Sequence, residues 1–479
     1  MTTYLNLNTL TNNAKVTQIN LDYYAPVATV QGANFTSTYA FLGKEDPWPY
    51  ASDGVTEIPT QPTNDQKYLR SVFKNMFALK QLTTGNISPV IQRINWANNT
   101  NYFAYSDDVD LFAKDANGFL INNFYVKNRY DQVFKCLANN NGGISTEEPY
   151  FQPGSYGTNN IYQGTDYYKW KYMYSIDAGS KKRFMDSNWM PVPVSTKTPQ
   201  PYLTTAGYGD VEVINITNGG SGYDATNSFI TVTITGDGTG LVANITPSQI
   251  VNGVIKDVVV KSGYAGKNYT YANVEIKATV SSSIGTISPY GSGATAIAPV
   301  SPVGGHAYDP ISELGCSNIM YEVEFNGTEN GIIPTDGVVY RQIGLLVQPQ
   351  MYGASGGAVL ANGSIYNTST QLTLSSGAGN VYIPDEIVYQ NDGKNNRVFS
   401  GTVLNFNTST NVLQLINTTG TVLVGQLITG STSLASRAVF TNTQSNIIPY
   451  SGYITYIENR AGVQRSSDGI EQLRFVLGY

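Results

Sequence analysis

Along most of this 479-residue chain the apolar positions come in short runs, often alternating with polar ones and separated by Gly, Asn, Ser and Pro. That rhythm predicts short β-strands and turns rather than helices. One segment departs from it. Thr63-Asn64-Asp65-Gln66 fits a capping box, in which Thr63 and Gln66 would satisfy exposed backbone donors. Tyr68, Leu69, Val72, Phe73, Met76 and Phe77 then recur at helical spacing, so a helix is expected over 64–82, ending before Gly85. Just upstream, Gly43-Lys44-Glu45-Asp46-Pro47-Trp48-Pro49 reads as a rigid aromatic turn between prolines.

From about 86 to 200 the pattern is aromatic and irregular, with Ile91–Trp96, Phe124–Val126 and Val133–Cys136 as expected strands. Tyr168, Trp170, Tyr172 and Tyr174 alternate with period two, which places them on one face of a strand, either packed on a core or presented as a binding platform. Near 206 the composition turns to Gly, Thr, Val and Ile, and an internal repeat emerges. Gly222-Tyr223 is echoed by Gly263-Tyr264, Phe229–Ile234 by Asn273–Ile276, and the glycine turn Gly236–Gly240 by Gly291–Gly293. Residues 206–299, bounded by Pro201 and Pro299, are therefore expected to form a small β module.

A second β-rich stretch, 366–447, holds Leu372–Leu374, Glu386–Val388, Thr402–Leu404 and Val412–Leu415, with no charged residue between Gly401 and Ser436. It predicts a compact barrel or sandwich. Residues 1–205, 300–365 and 448–479 share another style. The fold class that follows is mainly β, an α+β chain with few helices, in which a discontinuous β-rich core carries two small β domains inserted into surface loops.

Composition narrows the function classes. Only 13% of residues are charged, against roughly a quarter in an average domain. The two cysteines, Cys136 and Cys316, are too few for a disulfide framework or a cysteine zinc site, and the single histidine, His306, excludes any site needing two imidazoles. A net charge of −6 argues against nucleic acid as a partner. The 35 tyrosines supply broad contact area with a polar tip, which suits protein interfaces and sugar-binding faces. The first residues lack the basic start and apolar run of a secretory signal, and no apolar stretch reaches the roughly 18 residues of a membrane span. A chain made in a cytoplasm, without a membrane partner, is the expectation.

Candidate chemistry is sparse. Gly353-Ala354-Ser355-Gly356-Gly357 has the spacing of a nucleophile elbow, but His306 precedes Ser355 and no strand–helix context surrounds it, so a glycine-rich loop is expected. His306 beside Asp309 could shuttle a proton or order a turn. Asp107, Asp108 and Asp110 could attract calcium, yet the glycine and distal glutamate of a calcium loop are missing. Glu147 and Glu148 could act in glycoside cleavage, Gly236–Gly240 lacks the closing residues of a phosphate loop, and Lys181-Lys182-Arg183 reads as a solvated turn. The sum predicts no enzyme activity, no metal and no cofactor.

Several segments, in order, resemble the baseplate wedge subunit eight family of T-even-type contractile-tailed phages. They are Gly43–Trp48, the expected helix 64–82, Arg93-Ile94-Asn95-Trp96, Val133-Phe134-Lys135-Cys136, Tyr167–Tyr172, Pro191-Val192-Pro193, Arg341-Gln342-Ile343 and Ile454–Arg460. The repeat around Gly222-Tyr223 is similar to β modules of phage structural proteins, whereas the two β-rich insertions depart from the shorter family pattern. The resemblance implies a non-enzymatic virion component of the tail baseplate, assembled in the host cytoplasm as a homodimer and contacting wedge subunits six, seven and ten. Interface anchors are then expected at Trp48, Trp96, Trp170 and Arg460. The competing expectation is a receptor-binding adhesin whose β modules grasp glycans.

Overall fold

A computed structural model describes residues 37–43, 47–116, 118–155, 158–193, 208–224, 228–280, 291–377 and 379–478. Residues 1–36, Lys44-Glu45-Asp46 of the proline turn, and Pro201 lie outside them. The described residues are mainly β, with three short α-helices at Gln66–Asn75, Ala178–Phe184 and Pro310–Glu313. No helix among them is long and apolar enough to cross a membrane. The chain divides into two compact units, Met1–Val16 with Ser88–Met320 and Val476–Tyr479, and Thr17–Ile87 with Tyr321–Phe475.

In the first unit Tyr125–Lys127, Gln132–Asn139, Tyr168–Ser175 and Ile161–Gln163 form an antiparallel sheet. One face is an aromatic core in which Phe124, Phe134, Cys136, Tyr168, Trp170 and Tyr174 are buried and Tyr172 packs at the margin. Tyr168 and Trp170 stack with ring centroids 5.5 Å apart, and Tyr102 meets Trp170 edge-on. Of the two fates open to the alternating aromatics, burial is the one observed. Offset and edge-to-face rings gain beyond the area they bury, so the alternation becomes a dense core.

The repeat in 206–299 folds reciprocally. The middle strands of the two copies, Ser228–Gly236 and Ala272–Val280, pair with each other along their whole length. The first strand of each copy pairs with the last strand of the other: Asn215–Ser221 with Ser292–Ile297, and Val259–Lys267 with Thr239–Asn244. Glycine makes this possible where a tyrosine ring lies on the backbone, since a Cβ on Gly238 would sit 2.3 Å from Cγ of Tyr269 and one on Gly291 2.4 Å from Cγ of Tyr223. Tyr223 and Tyr269 are buried, while Tyr264, the residue that echoes Tyr223 in sequence, is exposed.

The second unit is built on an antiparallel sheet containing Ile365–Asn367, Met76–Gln81, Thr38–Gly43, Val339–Val347 and Tyr453–Gln464. Here the helix expected over 64–82 is corrected to Gln66–Asn75, followed at once by the strand Met76–Gln81. Met76-Phe77-Ala78-Leu79 is a continuous apolar run, which suits a strand buried on both faces, and pairing with Thr38–Gly43 overrides the helical spacing. The cap is also corrected, from Thr63 to Asp65, whose carboxylate accepts the Tyr68 N–H at 2.8 Å.

Within 366–447, six strands between Thr370 and Thr443 close into an antiparallel barrel around Leu372, Leu374, Val388, Phe399, Val403, Leu413, Leu415, Ile428 and Val439. Closure removes unpaired strand edges, so the charge-free run 401–436 exposes no ladder of open hydrogen bonds. Its outer face carries Ile387, Val424, Leu427 and Phe440, all exposed.

Candidate functional site

Three lysines on the central strands of the first unit's sheet point away from the aromatic core and end in carboxylates. Lys135 pairs with Glu313 at 2.5 Å, Lys169 with Asp257 at 2.6 Å and Lys171 with Glu212 at 2.6 Å. Glu313 comes from the short helix Pro310–Glu313, and Glu212 and Asp257 come from the repeat module. Gln163 Nε2 donates to Asp257 at 2.8 Å, Lys169 Nζ donates to the Val258 carbonyl, and Asn215 Nδ2 donates to the Leu137 carbonyl. These bonds fasten the module to the sheet. The signal in the sequence was the alternation Tyr168-Lys169-Trp170-Lys171-Tyr172; what it lacked was any pointer to the acids that cover the lysines.

Beside this network, burial and neighbouring Glu212 push the Asp210 carboxyl up to about 7. His306 lies against Tyr105, edge-on at 4.6 Å, and 3.9 Å from Glu313. Burial, aided by Lys135 and Lys171, holds its imidazole well below the usual range, so it is neutral near pH 7. Its Nδ1 has no hydrogen-bond partner among the described residues. A proton shuttle to solvent does not fit a side chain 1% exposed. An open cleft of about 750 Å³ lies nearby, lined in part by Tyr105, Asp107, Lys135, Tyr308 and Glu313.

The other candidate chemistry is held in local bonds. Ser355 sits in the turn of a hairpin in which the Gly353 N–H donates to the Gly357 carbonyl at 2.8 Å. Glu147 accepts from the Tyr162 hydroxyl and from Thr165, while Glu148 binds Arg129. Asp107 accepts the Val300 N–H at 3.0 Å, Asp108 the Ser106 hydroxyl, and Asp110 the Phe112 N–H. Among the described residues no three His, Cys, Asp or Glu side chains gather as a metal site requires. Asp237 of Gly236–Gly240 ties the turn to Thr270. Lys181-Lys182-Arg183, expected in a turn, lies on the helix Ala178–Phe184, with Lys181 2.7 Å from Asp131.

The expected interface anchors divide between the two units. Trp48 is buried, its Nε1 donating at 2.8 Å to the backbone carbonyl of Arg460. The guanidinium of Arg460 binds Glu458 at 2.6 Å and remains partly exposed. Trp96 is half-buried against the aromatic core, with its Nε1 on Ser145. Trp170 has no exposed surface at all, so it offers nothing to a partner and is a core residue.

A second cleft, of about 280 Å³, opens in the second unit beside the end of helix Gln66–Asn75 and the barrel strand Val412–Gly420. Phe73 and Tyr450 meet there edge-on at 5.9 Å, with Lys74, Tyr352, Asn417 and Gln444 around them. No single stretch of sequence signals it, because its residues are scattered from 73 to 450. No family model matches this chain, and no curated protein matches it.

Proposed function

We propose that the chain is a structural subunit of a contractile phage tail baseplate wedge, a homodimer that holds neighbouring wedge subunits together and moves as a rigid body when the baseplate rearranges. One observation supports this reading above the others: the segments that carry the family resemblance do not scatter over the surface but converge. In the first unit Ile94, Trp96, Phe134, Cys136, Tyr168, Trp170 and Val192 pack into one core. In the second, Trp48 binds Arg460, and Tyr68, Gln342 and Asn459 share hydrogen bonds, Tyr68 to Asn459 at 3.0 Å and Gln342 to Asn459 at 3.0 Å. Shared order and shared packing together support the scaffold reading. Exposed apolar side chains such as Ile387, Leu427 and Phe440 give it surface on which to assemble. Its place would be the virion tail, with assembly in the host cytoplasm and wedge subunits resembling six, seven and ten as partners.

The test is light-scattering mass after co-expression with the neighbouring wedge subunits of the same genome. A stoichiometric complex, and a dimer when the chain is alone, is the expected result; a persistent monomer that ignores those subunits sinks the reading. The competing reading, a glycan-binding adhesin, is favoured by the cleft beside Tyr450.

A further inference from the structure

We propose that the cleft formed by Phe73, Lys74, Tyr352, Asn417, Gln444 and Tyr450 binds a carboxylated saccharide. This deepens the adhesin reading, and it holds whether or not the chain also assembles into a wedge.

Aromatic surface comes first. Tyr352 and Tyr450 are 52% and 49% exposed at the cleft, and Phe73 props Tyr450 edge-on. An aromatic face carries partial negative charge and attracts the weakly positive C–H face of a pyranose, while the phenol hydroxyl hydrogen-bonds at the rim. Tyr450 is also held at a φ of 63°, in the left-handed region that bulky side chains avoid and that recurs at ligand-binding positions. Hydrogen-bonding capacity comes second. The amides of Asn417 and Gln444 and the hydroxyls of Tyr352 and Tyr450 have no intramolecular hydrogen-bond partner among the described residues. A ligand bearing several hydroxyls on one ring satisfies such groups together.

Charge selects the ligand within that class. Among the described residues Lys74 is the one charged side chain lining the cleft, it forms no ion pair, and no carboxylate lines the wall. In a chain of net charge −6 a lone unneutralised ammonium beside aromatic rings favours an acidic sugar over a neutral one. The volume, about 280 Å³, lies just below the roughly 300–1,000 Å³ of drug-sized ligand sites, which suits a single sugar ring.

The experiment is saturation-transfer NMR on the full chain with glucuronate, N-acetylneuraminate and glucose, followed by titration. Transfer to the two acids with weaker transfer to glucose is expected. Lys74→Gln should weaken binding of the acids about tenfold, the worth of one charge-assisted hydrogen bond, and leave glucose unchanged. Tyr450→Ala should weaken all three. Lys74 has no ion-pair partner among the described residues, so Lys74→Gln should keep the fold even where Tyr450→Ala does not. Absence of transfer to all three sugars, equal binding of glucose and glucuronate, or acid binding unchanged in Lys74→Gln would each overturn the proposal.

Discussion

Lys171 and Glu212 meet at 2.6 Å with side chains 0% and 2% exposed, joining the aromatic sheet to the repeat module through a fully desolvated ion pair. Such a pair is costly to form and costlier to break. Removing one partner strands the other charge in the interior, at about 3–5 kcal/mol, whereas replacing both by apolar residues of similar volume is close to neutral. Lys171→Met and Glu212→Leu singly should each lower the unfolding free energy by that amount, read as a fall in the urea midpoint, and the double variant should recover most of the loss. A double variant whose loss equals the sum of the two single losses would show that the pair is not coupled.

Asp210 predicts a pH dependence with a definite sign. Its folded carboxyl keeps its proton up to about 7, while an unfolded aspartate releases it near pH 4. Between those values the folded state holds the extra proton, so stability from this group is full at low pH, falls as pH rises and levels off above about 7. Asp210→Asn should flatten that slope and raise stability at pH 8 by about 2–4 kcal/mol. Equilibrium unfolding across pH 5 to 8, on wild type and variant, checks it.

Gly238 and Gly291 test the reciprocal packing of the repeat. A methyl at Gly238 meets the Tyr269 ring and, at 2.7 Å, the Lys267 carbonyl oxygen. Gly238→Ala should cost about 1–3 kcal/mol through this overpacking. Gly291→Ala should cost more, because φ there is 104° as well as the Tyr223 ring being in the way. Thermal unfolding distinguishes the two.

Arg341 holds the 50–58 segment by a fork: Nε lies 2.9 Å from Oε2 and Nη2 2.7 Å from Oε1 of Glu57. The hydrogen bonds from Arg341 keep the Glu57 carboxyl below the usual carboxylate range. Lysine cannot reproduce two parallel bonds, so Arg341→Lys should loosen the segment by about 1–2 kcal/mol. Faster proteolysis between 50 and 58 is the expected sign, and an unchanged cleavage rate would show that the fork does not restrain it.

Trp170 is buried with Tyr168 and Tyr102 against its ring. Trp170→Ala should therefore destabilise the fold by about 3–5 kcal/mol by opening a cavity. Any defect in assembly should track the unfolded fraction. A well-folded Trp170→Ala chain that fails to assemble would contradict this.

The sequence alone determined what depends on local pattern. Short alternating runs broken by glycine and asparagine make strands and turns wherever they lie, so the mainly β class, the repeat within 206–299 and the barrel within 366–447 were all legible. Period two placed Tyr168, Trp170 and Tyr174 on one face. Tertiary structure decided everything that depends on a distant partner. The helix stops at Asn75 because Met76–Gln81 finds a strand to pair with, and period alone cannot separate a buried strand from a buried helix turn. Lys169 and Lys171 are polar by composition and buried in fact, since their acids lie at 257 and 212. The cleft around Tyr450 exists only because closing the barrel returns residue 450 to residue 73. Chain order does not encode such meetings; the packing that satisfies charge and buries apolar surface does.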